Sequence, residues 1–415
     1  MLPPILEIYV VWHPRDEKGR EIAREFIEHF RGNSYTGLLG GAVEVFIRSE
    51  GWHEKGDAPR PIPFPGASTP TGIEPAQFVA VVPLMGMEMA WAMESDSDPW
   101  IRYVEEIVRL REKMRGQVGI FPYYLGAPGV IEHTKLKGLL RTPQRIASSP
   151  PNSGETETML RCRDLAQGIT QYFSRDTDRR LTVFISHTRQ HHEGHGSNTE
   201  LISMIREIIA TTRLRHFFDA NDLQPGEDWD LALREHAATS ALLAVRTDSY
   251  SSRKWCQREV LTAKRAGMPV VMIDALDKGD EKGSFLMDHV PRVPVCKTES
   301  GWNRENVYRA LGMLVDESLK RMLWRHQREL SHAELGTDIA WWAPHAPEPS
   351  TLVQWLEDAW EDGRLSTKGS DIRILHPEPP LAEDEKLVLS QMASLCGKAL
   401  KLDIMTPRLL AARGG

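Results

Sequence analysis

Cysteine is scarce: the 415 residues hold four, Cys162, Cys256, Cys296 and Cys396, and no two of them form a C-x-x-C pair. That pattern excludes a disulfide framework and a zinc ribbon, and it suits a reducing compartment. Long apolar runs are missing as well. No stretch approaches the ~20 consecutive apolar residues that a membrane-spanning helix needs. Met1–Glu7 lacks a basic segment followed by an apolar one, so no secretory signal is read. A large charge of one sign is also absent: the net charge is −7 and the sequence pI is near 6.1, which advertises neither nucleic acid nor an anionic membrane as a partner. The basic run Lys320–Arg325 is read as a solvated helix face. These absences give the expectation of a cytoplasmic, soluble protein with no direct nucleic-acid binding.

What is present is an ordinary globular composition, 41% apolar and 26% charged, in a chain long enough for several domains with separate cores. Glu7–Trp12, Val43–Ile47, Phe78–Leu84 and Val118–Pro122 are short β-rich or wholly apolar runs, read as strands. Between them, Ile22, Phe26, Ile27 and Phe30 recur at helical spacing, and Trp100–Arg115 is a charged amphipathic helix. Gly51–Pro75 is loop by composition, Ser148–Gly154 is a linker or loop, and Glu157–Phe173 is a helix. Strands alternating with helices at this spacing predict a parallel sheet covered on both faces. The same order recurs over 177–330, so residues 1–176 read as a divergent copy of that second unit. Residues 331–415 carry a shorter α/β pattern, with strands at Ile339–Pro344, Asp371–His376 and Leu402–Met405 and helices at Thr351–Trp360 and Asp384–Ala399. That module is small enough to need the others for burial.

The stretch Ser249–Val260, S-Y-S-S-R-K-W-C-Q-R-E-V, holds the most specific signal. It follows the apolar strand Ser240–Val245 and opens a helix on which Trp255 and Glu259, four apart, share a face. Upstream stand Phe184-Ile185-Ser186-His187 and Phe217-Phe218-Asp219-Ala220-Asn221-Asp222-Leu223-Gln224-Pro225-Gly226; downstream stands Pro269-Val270-Val271-Met272-Ile273. Four motifs in this order and at these separations resemble the Toll/interleukin-1 receptor (TIR) domain family over about residues 177–330. The resemblance implies tandem flavodoxin-like, TIR-like doubly wound parallel sheets, followed by a small C-terminal α/β module.

TIR domains self-associate as adaptors, and many bacterial, plant and axonal members cleave NAD+. The resemblance assigns the catalytic role to Glu259 of W-C-x-x-E. Ser186 and His187, at the end of the first strand, then fall near the nicotinamide ribose, while Phe184 is read as core. Asp219 borders the substrate cleft. The Asp222–Trp229 segment resembles the loop that makes assembly contacts, and within it Asp222, Pro225 and Gly226 form the turn. Trp229 either stacks on a base or closes the loop. Trp255 is placed beside the substrate, although its spacing reads more readily as a core anchor. Cys256 is read as a packing residue, not a nucleophile. In the first copy, Val104 occupies the position four residues after Trp100, and Glu105 and Glu106 point off that face. That copy is read as lacking the constellation.

Two other patterns are set aside. His187, His191, His192 and His195 cluster without a framework of carboxylates or thiols, so no metal is expected. Gly37–Gly41 precedes a strand, not a helix, and so lacks the context of a phosphate-binding loop. The leading functional expectation is an assembly-activated NAD+ glycohydrolase or ADP-ribosyl cyclase of the prokaryotic defence type. It uses NAD+ as substrate, needs no cofactor, and has a possible sensor or effector protein as partner. The alternatives are a non-enzymatic TIR scaffold and a nucleotide-sensing protein whose first or last domain binds a small signal.

Overall fold

The computed structural model describes the chain except residues 1–4, 33–34, 36–42, 51–58, 67–74, 127–130, 132, 141–154, 175–180, 189–196, 213, 215, 219–236, 281, 336–338, 366–370, 396–399 and 414–415. The expected glycine run 37–41 and linker 148–154 lie outside the described residues. The chain forms two compact units, Met1–Thr177 and Asp178–Gly415, and the C-terminal module belongs to the second.

The first unit is built on β1 (Leu6–Val11), β2 (Val43–Arg48), β3 (Phe78–Met85), β4 (Val118–Ile120) and β5 (Tyr123–Tyr124). All pair in parallel, in the order β2-β1-β3-β4, with β5 also on β3. β4 and β5 form one edge line along β3, interrupted at Phe121-Pro122, because proline has no N–H for the ladder. β1 and β3 are buried at every position, as strands covered on both faces must be. Alternate side chains separate the two faces. Tyr9, Val11, Val79 and Val81 share a cluster with Met89, Trp100, Val104 and Ile107, whereas Ile8, Val10, Ala80 and Val82 are buried on the opposite side. Helix Pro99–Lys113 starts with Pro99 after an Asp98 cap that accepts from Trp100 N–H at 2.9 Å. Val104 lies on its buried face and Glu105 on its exposed face, as the sequence pattern predicts.

The second unit contains β6 (Thr182–Ser186), β7 (His216–Phe218), β8 (Ala241–Arg246), β9 (Val270–Asp274) and β10 (Arg292–Pro294). They form a parallel sheet in the order β10-β9-β8-β6-β7. In chain order this is 2-1-3-4-5, the flavodoxin-like arrangement, and the first unit repeats its 2-1-3-4 part. Helix Lys254–Arg265 seals one face through Cys256, Val260 and Ala263, which pack on Phe184, Leu242, Ala244 and Met272. The 32-residue helix Arg304–Leu335 packs on β8, β9 and β10. A short antiparallel ribbon, β11 (Lys297–Thr298) with β12 (Gly301–Trp302), precedes it.

The C-terminal sheet is parallel, β13 (Trp341–Trp342), β14 (Asp371–Leu375) and β15 (Lys401–Met405) in that order. Helices Pro349–Glu361 and Glu383–Leu395 cover one face. On the other, Leu375 and Met405 meet Trp324 of the long helix, whose indole N–H donates to Ala343 O at 2.9 Å. This corrects the reading of Lys320–Arg325 as a solvated face. Met322, Leu323 and Trp324 are buried, and Arg321 donates to Pro344 O. A small three-stranded sheet cannot bury both faces alone, so the basic run lies where the long helix covers it.

His376, fully buried at the end of β14, gives this module a pH dependence. Its Nδ1 lies 2.8 Å from Pro377 O, so Nδ1 carries the proton, and Nε2 has no partner among the described residues. Burial pushes its pKa down to about 4. The folded state therefore binds this proton less readily than the unfolded state. The stabilisation is fully present above the ordinary histidine value of ~6.5 and is lost as pH falls from there through about 4. Unfolding of the second unit, followed between pH 7 and pH 4, should show a shallower acid slope in His376→Leu than in the parent protein.

Candidate active site

In a 2-1-3-4-5 sheet the connections leaving strands 1 and 3 diverge to opposite faces, which opens a crevice at their C-terminal ends. Here those strands are β6 and β8, and Ser186 ends β6. Helix Lys254–Arg265 follows β8 and carries Glu259, half-buried, back to that edge. Ser186 Oγ donates to Glu259 Oε2 in a short hydrogen bond. Its single proton is thereby committed. The 2.6 Å contact between Ser186 Oγ and the Tyr250 hydroxyl must then run from tyrosine to serine. Tyr250 is completely buried, and burial, reinforced by Cys256 and Glu259, raises its pKa well above the ordinary value, so it remains a donor. The result is a chain, Tyr250 to Ser186 to Glu259, that fixes one carboxylate oxygen.

The edge is braced on either side. Thr188 and Thr247, which follow β6 and β8, approach at 3.2 Å between hydroxyls. Arg246, the last residue of β8, reaches Asp274 at 3.1 Å and Asp280 at 3.0 Å. Burial works to raise the pKa of Asp280, but hydrogen bonds from Ser251, the Gly283 N–H and Arg246 outweigh it and hold it below the ordinary value. Asp248 accepts from the N–H groups of Asp277 and Lys278 at 2.9 and 3.0 Å, tying the loop after β9 to the loop after β8.

Ser186 and Glu259, 73 residues apart, are thus brought together. Ser186 is buried with its hydroxyl committed to Glu259, so it positions the carboxylate. His187 is half-buried beside it, with Nδ1 3.2 Å from Thr188 O. Phe184 is core, as expected, and Cys256 is a buried packing residue whose thiol burial pushes to a higher pKa. Trp255 is not a core anchor: it is 46% exposed, with the Arg258 guanidinium 5.3 Å from its ring centroid. The physical reason is rotation about the helix. The buried stripe runs through Cys256, Val260 and Ala263, and Trp255 sits about 100° before it. Trp100 of the first unit, by contrast, is fully buried. Asp219, Asp222, Pro225, Gly226 and Trp229, together with His191, His192 and His195, lie outside the described residues. Tyr250 was not singled out by sequence, although it stands within the motif stretch. Only its partner across the sheet reveals its role.

Tyr250→Phe should keep the fold, since ring burial is retained, and cost the second unit about 1 kcal/mol by removing the hydrogen bond to Ser186. Denaturant unfolding of the variant beside the parent protein would show this loss.

Fold and site together define an α/β protein with two doubly wound parallel sheets and a hydrogen-bonded carboxylate at the switch point of the second. No family model and no curated protein matches the chain. A solved structure described as a conserved domain protein from Vibrio cholerae O1 biovar El Tor is 9% identical, over 96% of this chain and 99% of that one. Its TM-score is 0.18, too slight a likeness to carry an argument. Among the described residues no helix is long and apolar enough to cross a membrane.

Proposed function

We propose that the second unit is a TIR domain that cleaves NAD+ between ribose and nicotinamide, with Glu259 as the catalytic carboxylate. The observation that supports this reading best is the switch-point carboxylate held by Ser186 and Tyr250. Heterolysis of the C1′–N bond sends the electron pair to nicotinamide, which departs neutral, and leaves an oxocarbenium-like ribose. A fixed carboxylate stabilises that positive charge. Nicotinamide leaves from a cationic ring, so no strong general acid is required, and one carboxylate suffices where ordinary glycosidases use two. Capture by water gives ADP-ribose and a proton; capture by the adenine ring gives a cyclic product. Trp255, exposed on the same helix, is available to the substrate, and activity depends on self-association of the kind TIR domains use.

The test is product analysis. Concentrated protein with a crowding agent should convert NAD+ to nicotinamide plus linear or cyclic ADP-ribose, and Glu259→Ala should not. If NAD+ stays intact with both proteins while the chain still assembles, the non-enzymatic scaffold replaces the enzyme.

A further inference from the structure

The first unit has its own switch point, between the C-terminal ends of β1 and β3, and a cavity of about 380 Å³ opens there. Its walls come from the turns after β1, β3 and β5. The turn after β3 is held closely. Both Asp16 carboxylate oxygens accept from backbone, Glu88 N–H and Met89 N–H, each at 3.1 Å. A Cβ on Gly86 would lie 2.2 Å from the Asp16 carboxyl carbon, so only glycine allows this approach. Trp91 lines the cavity and is 59% exposed, so its indole presents a large aromatic surface there. Arg15 and Lys18 also line it. The Arg15 side chain is 78% exposed and meets Glu88 at 3.7 Å, a pair a ligand can displace at little cost.

We infer that this cavity binds a nucleoside monophosphate. Trp91 supplies the stacking platform for the base. Glu17 and Glu88 accept from ribose hydroxyls, the role an acidic residue plays in other doubly wound sheets. Arg15 and Lys18 hold the phosphate. Two cations beside three carboxylates suit a single phosphate and disfavour a polyphosphate chain. The volume matches the small-molecule range of ~300–1,000 Å³. This inference does not depend on the chemistry of the second unit.

Isothermal titration of the full chain with AMP, GMP, CMP and UMP, each beside its nucleoside and its triphosphate, tests it. At least one monophosphate should bind, more tightly than its nucleoside or the triphosphate. Trp91→Ala should weaken that binding about 5- to 100-fold, the range expected from base–aromatic stacking. Arg15→Gln should weaken the monophosphate that binds while leaving its nucleoside unchanged. Both positions are exposed, so the fold survives either change. Absence of heat with all four monophosphates overturns the inference. Binding indifferent to Trp91→Ala overturns it too, by placing the ligand elsewhere. Equal affinity for the monophosphate that binds and its nucleoside contradicts the phosphate subsite and with it the monophosphate assignment.

Discussion

Glu259→Gln is expected to lower NAD+ turnover by about 10³-fold while leaving the second unit folded. Glutamine is nearly isosteric, and its amide oxygen still accepts from Ser186, so the chain from Tyr250 stays complete. What disappears is the negative charge opposite the developing oxocarbenium. Removing one such preorganised electrostatic group from a site typically costs about 10²–10³ in kcat. KM should change little, because the charge acts on the transition state more than on bound NAD+. Kinetics of nicotinamide release, with circular dichroism to establish folding, would separate this outcome from simple unfolding. An equal loss on Ser186→Ala would indicate that orientation, not charge, dominates.

The second large effect is structural and concerns the same helix. Lys264 is buried one turn beyond Glu259, and its ammonium reaches Glu348 at 2.8 Å and Asp288 O at 2.6 Å. Both side chains of the pair are only 5% exposed. His345 adds a 2.9 Å contact from Nε2 to Lys264 O. Lys264→Met leaves the Glu348 carboxylate buried without its cation, and breaking a buried pair from one side costs about 3–5 kcal/mol. The unfolding free energy of the second unit should fall by that amount, with its transition moved to lower denaturant. Lys264→Met combined with Glu348→Leu should recover part of the loss, since replacing both charges removes the stranded one. Glu348 also caps helix Pro349–Glu361 through a capping box with Thr351, so recovery is incomplete. Because helix Pro349–Glu361 packs on helix Lys254–Arg265, activity should fall along with stability.

Local patterns in the sequence carried the sheets well. Apolar runs such as Phe78–Leu84 and Ser240–Val245 have the length and composition of buried strands, and they form β3 and β8. The absence of a glutamate on the buried face after Trp100 was also legible, because helical rotation alone decides it. Contacts distant in sequence were not legible. Ser186 and Tyr250 are 64 residues apart, and Lys264 and Glu348 are 84 apart, so no periodicity links them. Trp255 misled because equal spacing to Glu259 fixes a relative angle, not which face meets the sheet. Lys320–Arg325 misled because charge suggests water, whereas its Leu323 and Trp324 cover the C-terminal sheet.

The most direct test of the central claim is nicotinamide released from NAD+ by the purified wild-type chain as its concentration is raised. Release should climb faster than in proportion to protein, the signature of a site that self-association activates. No nicotinamide at any concentration, from protein shown to be folded and assembled, would contradict it.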